Sequence, residues 1–107
     1  MPTRLRYDIE YTSDALDHLE AIKRKYYSLI ERTINQQLAS TPDKETRNRK
    51  PLEQPAPLGA TWELRFGPKN RFRVYYHIDP EERLVFVKGI GVKVGSRLWV
   101  GGVEIFR

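Results

Sequence analysis

The stretch of sequence that decides the fold is residues 62–78, WELRFGPKNRFRVYYHI. Its side chains alternate between apolar and polar on both sides of a loop at residues 67–71, which predicts a β-hairpin with one apolar and one charged face. Opposed residues of an antiparallel pair project to the same face, so keeping the apolar residues together fixes the register. The predicted pairs are Phe66–Phe72, Leu64–Val74, Trp62–Tyr76, Arg65–Arg73 and Glu63–Tyr75. Because facing arginines repel by up to about 1 kcal/mol, we expect an anion, most obviously phosphate, to bind between them.

Length and composition predict a single domain over residues 1–107. The chain has no cysteine, and its two histidines, His18 and His77, are far apart in sequence, so we expect no disulfide, no metal site and no cofactor. The net charge is +5 with a pI near 9.6, and the surplus cations concentrate in residues 44–50 and 65–73. That distribution is compatible with a nucleic-acid partner but does not establish one.

Two further features bear on the location of the protein. No apolar run approaches the roughly 20 residues that a membrane helix needs. The start of the sequence, MPTRLRYD, lacks the apolar core of a signal peptide. We therefore expect a cytoplasmic protein with no membrane partner.

The remaining pattern predicts an α+β domain. Residues 4–11 alternate as a strand, and an apolar stripe at helical spacing covers residues 14–39. That stripe fits one helix or a helical hairpin broken near Lys25. Residues 41–60 predict a long loop or extended crossing segment, residues 84–92 a central strand, and residues 93–106 a turn and a short last strand. Helices should cover one face of a mostly antiparallel sheet, leaving open the face that carries Glu63, Arg65, Arg73, Tyr75 and His77.

The order of these elements and three short motifs resemble the RelE/ParE superfamily of toxins from type II toxin-antitoxin modules. The motifs are Trp62-Glu-Leu-Arg, Arg71-Phe-Arg-Val-Tyr-Tyr and Gly91-Val-Lys. The resemblance implies an N-terminal strand and a helical hairpin packed on the sheet. It also implies a cognate acidic antitoxin as a partner.

The resemblance implies two activities. RelE-like members are ribosome-dependent mRNA endonucleases, whereas ParE-like members act on DNA gyrase without cutting RNA. Arg73 matches the position of an arginine that contacts the scissile phosphate, so the leading hypothesis is an endoribonuclease that inhibits translation by acting on ribosome-bound mRNA. The sequence departs from the nuclease pattern at Thr61 and Glu63, where lysines are usual, and at Trp99, where a tyrosine or histidine is usual. Gyrase inhibition and a non-catalytic RNA- or protein-binding domain remain the alternatives.

RNA cleavage by the 2′-hydroxyl needs a base, cations around the phosphorane and an acid for the leaving oxygen. The predicted catalytic residues are Glu63 or His77 as the base, Arg65 and Arg73 as the cations, and Tyr75 or Arg97 as the acid. The predicted RNA-binding residues are the cations Lys44, Arg47, Arg49, Lys50, Lys69, Arg71, Lys93 and Arg97. The alternative interpretation is an ordinary polar strand face on which Glu63 neutralises nearby arginines. His18, among helix charges, is expected at the surface, and Trp99 is expected to be packed.

Overall fold

The structure, a computed structural model, describes residues 6–105, so the first two residues of the predicted N-terminal strand and Phe106 lie outside the described residues. The strands and helices are β1 (Asp8–Tyr11), α1 (Ser13–Glu20), α2 (Tyr27–Leu38), β2 (Arg49–Pro51), β3 (Trp62–Phe66), β4 (Phe72–Asp79), β5 (Leu84–Val94), β6 (Arg97–Val100) and β7 (Val103–Ile105). Two helices pack on a mostly antiparallel sheet, which confirms the predicted α+β class. Within residues 6–105, no helix is both long and apolar enough to cross a membrane.

The helical region is a hairpin, as the family resemblance implies. The alternative prediction of a single helix over residues 14–39 is wrong. Helix α1 begins where the Thr12 hydroxyl accepts the N–H of Ala15 at 3.2 Å. It ends before Ile22, whose side chain is buried in the core, and a 3₁₀ turn over Arg24–Tyr26 leads into α2. The break therefore lies just before Lys25. The apolar stripe has the same period in one helix or two, so only the packing of Ile22 distinguishes them.

The sheet has the strand order β2-β3-β4-β5-β6-β7, with β1 parallel to β5. Strand β5 is long enough to have two different neighbours along one edge. Its first part, Leu84–Val87, pairs with β1, and its last part, Gly91–Val94, pairs with β6. The three residues in between have no strand beside them on that edge within the described chain.

The central hairpin has the predicted register. The pairs are Trp62–Tyr76, Glu63–Tyr75, Leu64–Val74, Arg65–Arg73 and Phe66–Phe72. The loop over residues 67–71 is also confirmed, with a 3₁₀ turn at its centre. Gly67 has φ +83°, and a β-carbon there would overlap the ring of Phe72. Glycine is therefore the residue that lets this hairpin close.

The main core lies between the helices and the apolar face of the sheet. It combines helix residues such as Ile30 and Ile34 with sheet residues such as Leu64, Val74 and Val87, all at most 1% exposed. Tyr76 is fully buried there, and its hydroxyl donates to the carbonyl oxygen of Pro42 at 2.7 Å. This bond ties the segment after α2 to the middle of the sheet.

The second face of the sheet is not open, which corrects the sequence-based expectation. Tyr75 on this face packs in a separate cluster with Ala60, Leu98 and Val100, and Leu52 and Ile105 lie against it. Glu63 and Tyr75 are fully buried and Arg73 is 5% exposed. The covering residues come from β6, β7 and the segment before β3. The two-residue period of the hairpin shows which side chains share a face, but it does not show which other segments cover that face.

Two further boundaries differ from the expectation. Residues 41–60 include the short strand β2, which pairs with β3 and ends at Pro51, where a proline fits the edge of a sheet. The tail has two strands rather than one, because Gly101 and Gly102, with φ of +63° and +80°, form a turn between β6 and β7.

Candidate functional site

A buried charge cluster of Glu63, Arg65 and Arg73 occupies the second face of the hairpin. The carboxylate oxygen Oε1 of Glu63 lies 2.6 Å from Nε of Arg65 and 3.8 Å from Nη1 of Arg73. Nε of Arg73 also donates to the carbonyl oxygen of Asn70 at 3.1 Å. The expected repulsion between the facing arginines is therefore neutralised inside the chain. Glu63 can do this because it lies two pairs further along the ladder and therefore on the same face.

This pairing changes what the predicted catalytic residues can do. Glu63 has no surface exposure, and its carboxylate lies against two guanidinium groups. Tyr75 is likewise fully buried, opposite Gly89 on β5. A base or an acid must come within hydrogen-bond reach of the reacting group. In this conformation neither residue reaches a molecule bound at the surface.

His77 is the predicted base that remains exposed. Its Nδ1 lies 3.0 Å from the hydroxyl of Thr61, the residue just before β3. Arg73 lies four residues earlier on the same strand and is buried. The structure thus separates the exposed imidazole from the cation that the nuclease hypothesis places at the phosphate.

Arg49 is buried and is not available to RNA, which corrects its assignment as a surface contact. Its Nη1 donates to the carbonyl oxygen of Gln37 at 2.6 Å and to that of Thr41. These are carbonyl groups at and just after the end of α2, where a cation also complements the helix dipole. Arg49 therefore stabilises the end of this helix.

The neighbours of Arg49 form a basic cleft, defined here by Arg47, Lys50 and Arg65. The cleft has a volume of about 280 Å³, and its other lining residues are Glu45, Thr46, Asn48 and Arg49. Asn48 closes its wall, because its side-chain amide donates to the carbonyl oxygen of Arg65 at 3.0 Å. Arg47 and Lys50 are exposed, and the side chain of Arg65 is 31% exposed. Lys44, also exposed, lies in the loop that leads into the cleft.

The other predicted RNA-binding cations lie at different places in the fold. Lys69 is exposed at the hairpin loop, and Arg71 donates to the hydroxyl of Tyr26 at 3.1 Å. Lys93 is half-buried, and its backbone N–H donates to the carbonyl oxygen of Arg71 at 2.7 Å. Arg97 is exposed and lies 4.0 Å from Glu104. The predicted set is therefore divided between the basic cleft, the hairpin loop and strands β5 and β6.

An apolar groove, which the sequence pattern did not indicate, lies between the helical corner and the ends of β5 and β6. Its volume is about 420 Å³. Its apolar lining includes Ile22, Phe72, Val92, Val94 and Trp99, and the cations Lys23 and Arg71 line it as well. Trp99 is half-buried in this groove, opposite Val92, so the expectation that it is packed is only partly met.

His18 lies at the inner end of the groove and not on the open surface, which is a further correction. Its Nδ1 accepts the backbone N–H of Ile90 at 3.2 Å. That N–H belongs to the part of β5 where the neighbouring strand changes from β1 to β6, so the imidazole replaces a missing strand partner. Burial lowers the pKa of His18, and the nearby Asp14 and Asp17 oppose that shift.

The described residues 6–105 include no group of three or more His, Asp or Glu side chains that could hold a metal ion. The basic cleft and the apolar groove are two concave surfaces of the described residues at which another molecule could bind. Both depend on residues that are distant in sequence.

The fold has a known counterpart. One chain of the crystal structure of the toxin-antitoxin complex RelBE2 from Mycobacterium tuberculosis superposes with a TM-score of 0.62 at 21% sequence identity. The match covers 82% of this chain and 99% of that chain. At this identity the likeness establishes the fold alone. No curated protein matches the sequence.

The family follows from the sequence itself. The family model described as ParE toxin of type II toxin-antitoxin system, parDE, matches residues 9–92. The chain therefore belongs to the ParE toxin family of type II toxin-antitoxin systems. The match spans most of β1, both helices, the central hairpin and most of β5, and thus includes the charge cluster.

Proposed function

We propose that this chain is a toxin that inhibits its target by binding it, without cutting RNA, and that the target is DNA gyrase. The observation that carries the proposal is the burial of the charge cluster. Glu63 is fully buried beside Arg65 and Arg73, which supports a structural role for this carboxylate in place of a catalytic one. Membership of the ParE family supports the same target, because ParE-like members act on gyrase.

The arrangement at the tail supports a non-cutting toxin as well. Trp99 stands where a nuclease usually has a tyrosine or histidine, and an indole N–H is a donor that does not exchange a proton usefully near neutral pH. Arg97, a candidate acid alongside Tyr75, is exposed on β6 beside Glu104 of the edge strand β7. A guanidinium stays protonated in proteins and is a poor general acid.

The second candidate function is ribosome-dependent cleavage of mRNA, and a specific feature favours it. The basic cleft collects Arg47, Lys50 and Arg65, which could bind consecutive phosphates of a nucleic acid. His77 offers an exposed imidazole as a base. Under this alternative, Arg73 would have to become accessible when the ribosome binds.

We also propose that the chain acts in the cytoplasm and is held inactive there by an acidic antitoxin. The structural neighbour comes from a toxin-antitoxin complex, which supports a protein partner of this kind. The net charge of +5 favours a partner of opposite charge, because complementary potentials speed association and select the partner.

The order of events after induction of the chain in cells tests the proposed function. Gyrase inhibition predicts an early DNA-damage response while transcripts stay intact. Cleavage predicts that translation stalls first and that new transcript ends map inside ribosome-covered codons. His77→Ala is the informative variant, since it should remain fully toxic if the chain only binds its target. New ends that disappear in His77→Ala would transfer the assignment to the nuclease.

A further inference from the structure

We propose that the basic cleft holds the phosphate backbone of duplex DNA, with Arg47, Lys50 and Arg65 contacting phosphates and no side chain reading the bases. This inference rests on the proposed function, because DNA is the substrate that gyrase handles. It gives the chain a contact with the DNA of the target complex in addition to its contact with the enzyme.

The cleft is formed where two strands lie side by side. Lys50 on β2 pairs with Glu63 on β3, so its side chain projects to the same face as Arg65, two residues further along β3. Asn48 and Arg65 are joined by two hydrogen bonds. The backbone N–H of Arg65 donates to the carbonyl oxygen of Asn48 at 2.8 Å, and the side-chain amide of Asn48 donates to the carbonyl oxygen of Arg65 at 3.0 Å. These bonds hold the turn at residues 45–49 against β3.

The turn is ordered by Thr46. Its hydroxyl accepts the backbone N–H groups of Asn48 and Arg49, each at 3.2 Å. The backbone N–H of Thr46 donates in turn to the carbonyl oxygen of Arg49 at 2.9 Å. The exposed Arg47 is therefore carried by a turn of fixed shape. A preformed site loses less conformational freedom on binding than a mobile one.

The charge of the cleft is predominantly positive. Its described lining residues include four cations and one carboxylate, Glu45. Arg65 is paired with Glu63, but no described carboxylate lies within 4.0 Å of the charged groups of Arg47 and Lys50. A concave surface with charge of one sign concentrates the potential and attracts anions.

Arg49 adds a buried cation at the wall of the cleft. Its side chain bonds through Nη1 to carbonyl oxygens at and after the end of α2, and its Nε has no hydrogen-bond partner. Arg49 is 6% exposed, and among residues 6–105 no carboxylate lies within 4.0 Å of its guanidinium. Water screens a buried charge only weakly, so its field extends into the cleft. A phosphate held there compensates this charge without touching it.

The composition of the cleft favours a duplex over a single strand. All the described residues that line it are polar or charged, and none is aromatic. Proteins that bind single-stranded nucleic acid usually stack its bases on aromatic side chains. A duplex keeps its bases stacked on one another and presents phosphates on its outside, where cations and polar groups suffice to hold it.

Fluorescence anisotropy with a labelled DNA duplex of about 20 base pairs tests the cleft, and three phosphate contacts predict a slope of about −2.7 for log K against log salt. Arg47→Ala and Lys50→Ala should each weaken binding about threefold or more at low salt and reduce the slope by about 1. Both side chains are exposed, so neither variant endangers the fold. The matched controls are Arg32→Ala and Lys23→Ala, which remove exposed cations that do not line the cleft and should leave the slope unchanged.

Equal losses in the cleft variants and in the controls would overturn the cleft as the site. Tighter binding of a single-stranded RNA of the same length would overturn the duplex and favour the nuclease alternative. In a supercoiling assay, the double variant Arg47→Ala, Lys50→Ala should require about tenfold more protein than wild type to inhibit gyrase. Inhibition by the double variant equal to that by wild type would overturn the DNA contact and leave gyrase inhibition intact. Duplex binding through the cleft without any inhibition of gyrase would support the DNA site and overturn the proposed function.

Discussion

Replacing Arg73 by alanine should destabilise the protein strongly. Arg73 is 5% exposed, and its Nη1 lies 3.8 Å from the fully buried carboxylate of Glu63. Two unit charges at that separation attract by about 4 kcal/mol at an effective dielectric constant of 20. The variant also loses the hydrogen bond to Asn70, whereas the remaining contact of Glu63 with Arg65 limits the damage. We therefore expect a loss of about 3 kcal/mol in the free energy of unfolding.

For a domain of this size, that loss lowers the melting temperature by about 15 °C. Circular dichroism melts and urea titrations measure both quantities. Arg65→Ala is the matched comparison: its side chain is 31% exposed, so water replaces much of the contact and the loss should be about 1 kcal/mol. The double variant Glu63→Gln, Arg73→Met removes both buried charges and should recover part of the stability. An Arg73→Ala protein that melts within about 2 °C of wild type would refute the structural role of the cluster.

Two further predictions concern residues that the structure moves from the surface into the fold. Arg49→Ala removes the donor to the end of α2 and should cost about 2 kcal/mol in urea unfolding, whereas the exposed Lys50→Ala should cost almost nothing. His18 has a pKa lowered chiefly by burial, so the unfolded chain binds its proton more tightly than the folded chain. The stability that His18 contributes is therefore complete above pH 6.5, the ordinary pKa of histidine, and decreases as the pH falls from there toward the lowered pKa of the folded chain. Between about pH 7.5 and about pH 5.5, the urea midpoint of His18→Gln should change less with pH than that of wild type. An equal change with pH in the two proteins would contradict the bond to Ile90.

The hairpin could be predicted in detail because one constraint determines it. A strand has a period of two, and a shift of one residue would move every apolar side chain of residues 62–78 to the wrong face. The helical region lacked such a constraint. Its stripe has the same spacing in one helix or two, and the break depends on Ile22 packing into a core built by distant strands. The resemblance to a known family supplied what the pattern could not.

The candidate site was predicted less well, for a related reason. Alternation shows which residues share a face but not what covers it. Leu98 and Val100, more than twenty residues after Tyr75, bury that face, and nothing in the hairpin itself indicates them. The neutralisation of Arg65 and Arg73 by Glu63 was visible as an alternative, since the three residues share one face. The apolar groove combines a helical corner with two strand ends, so no local pattern marks it.

The central claim is that the chain inhibits gyrase by binding it and does not cut RNA. The most direct measurement is the supercoiling of relaxed plasmid by purified gyrase as the purified chain is added. We expect supercoiling to be lost at concentrations near that of gyrase, with His77→Ala as effective as wild type. Gyrase that remains fully active at a large excess of folded chain would contradict the account.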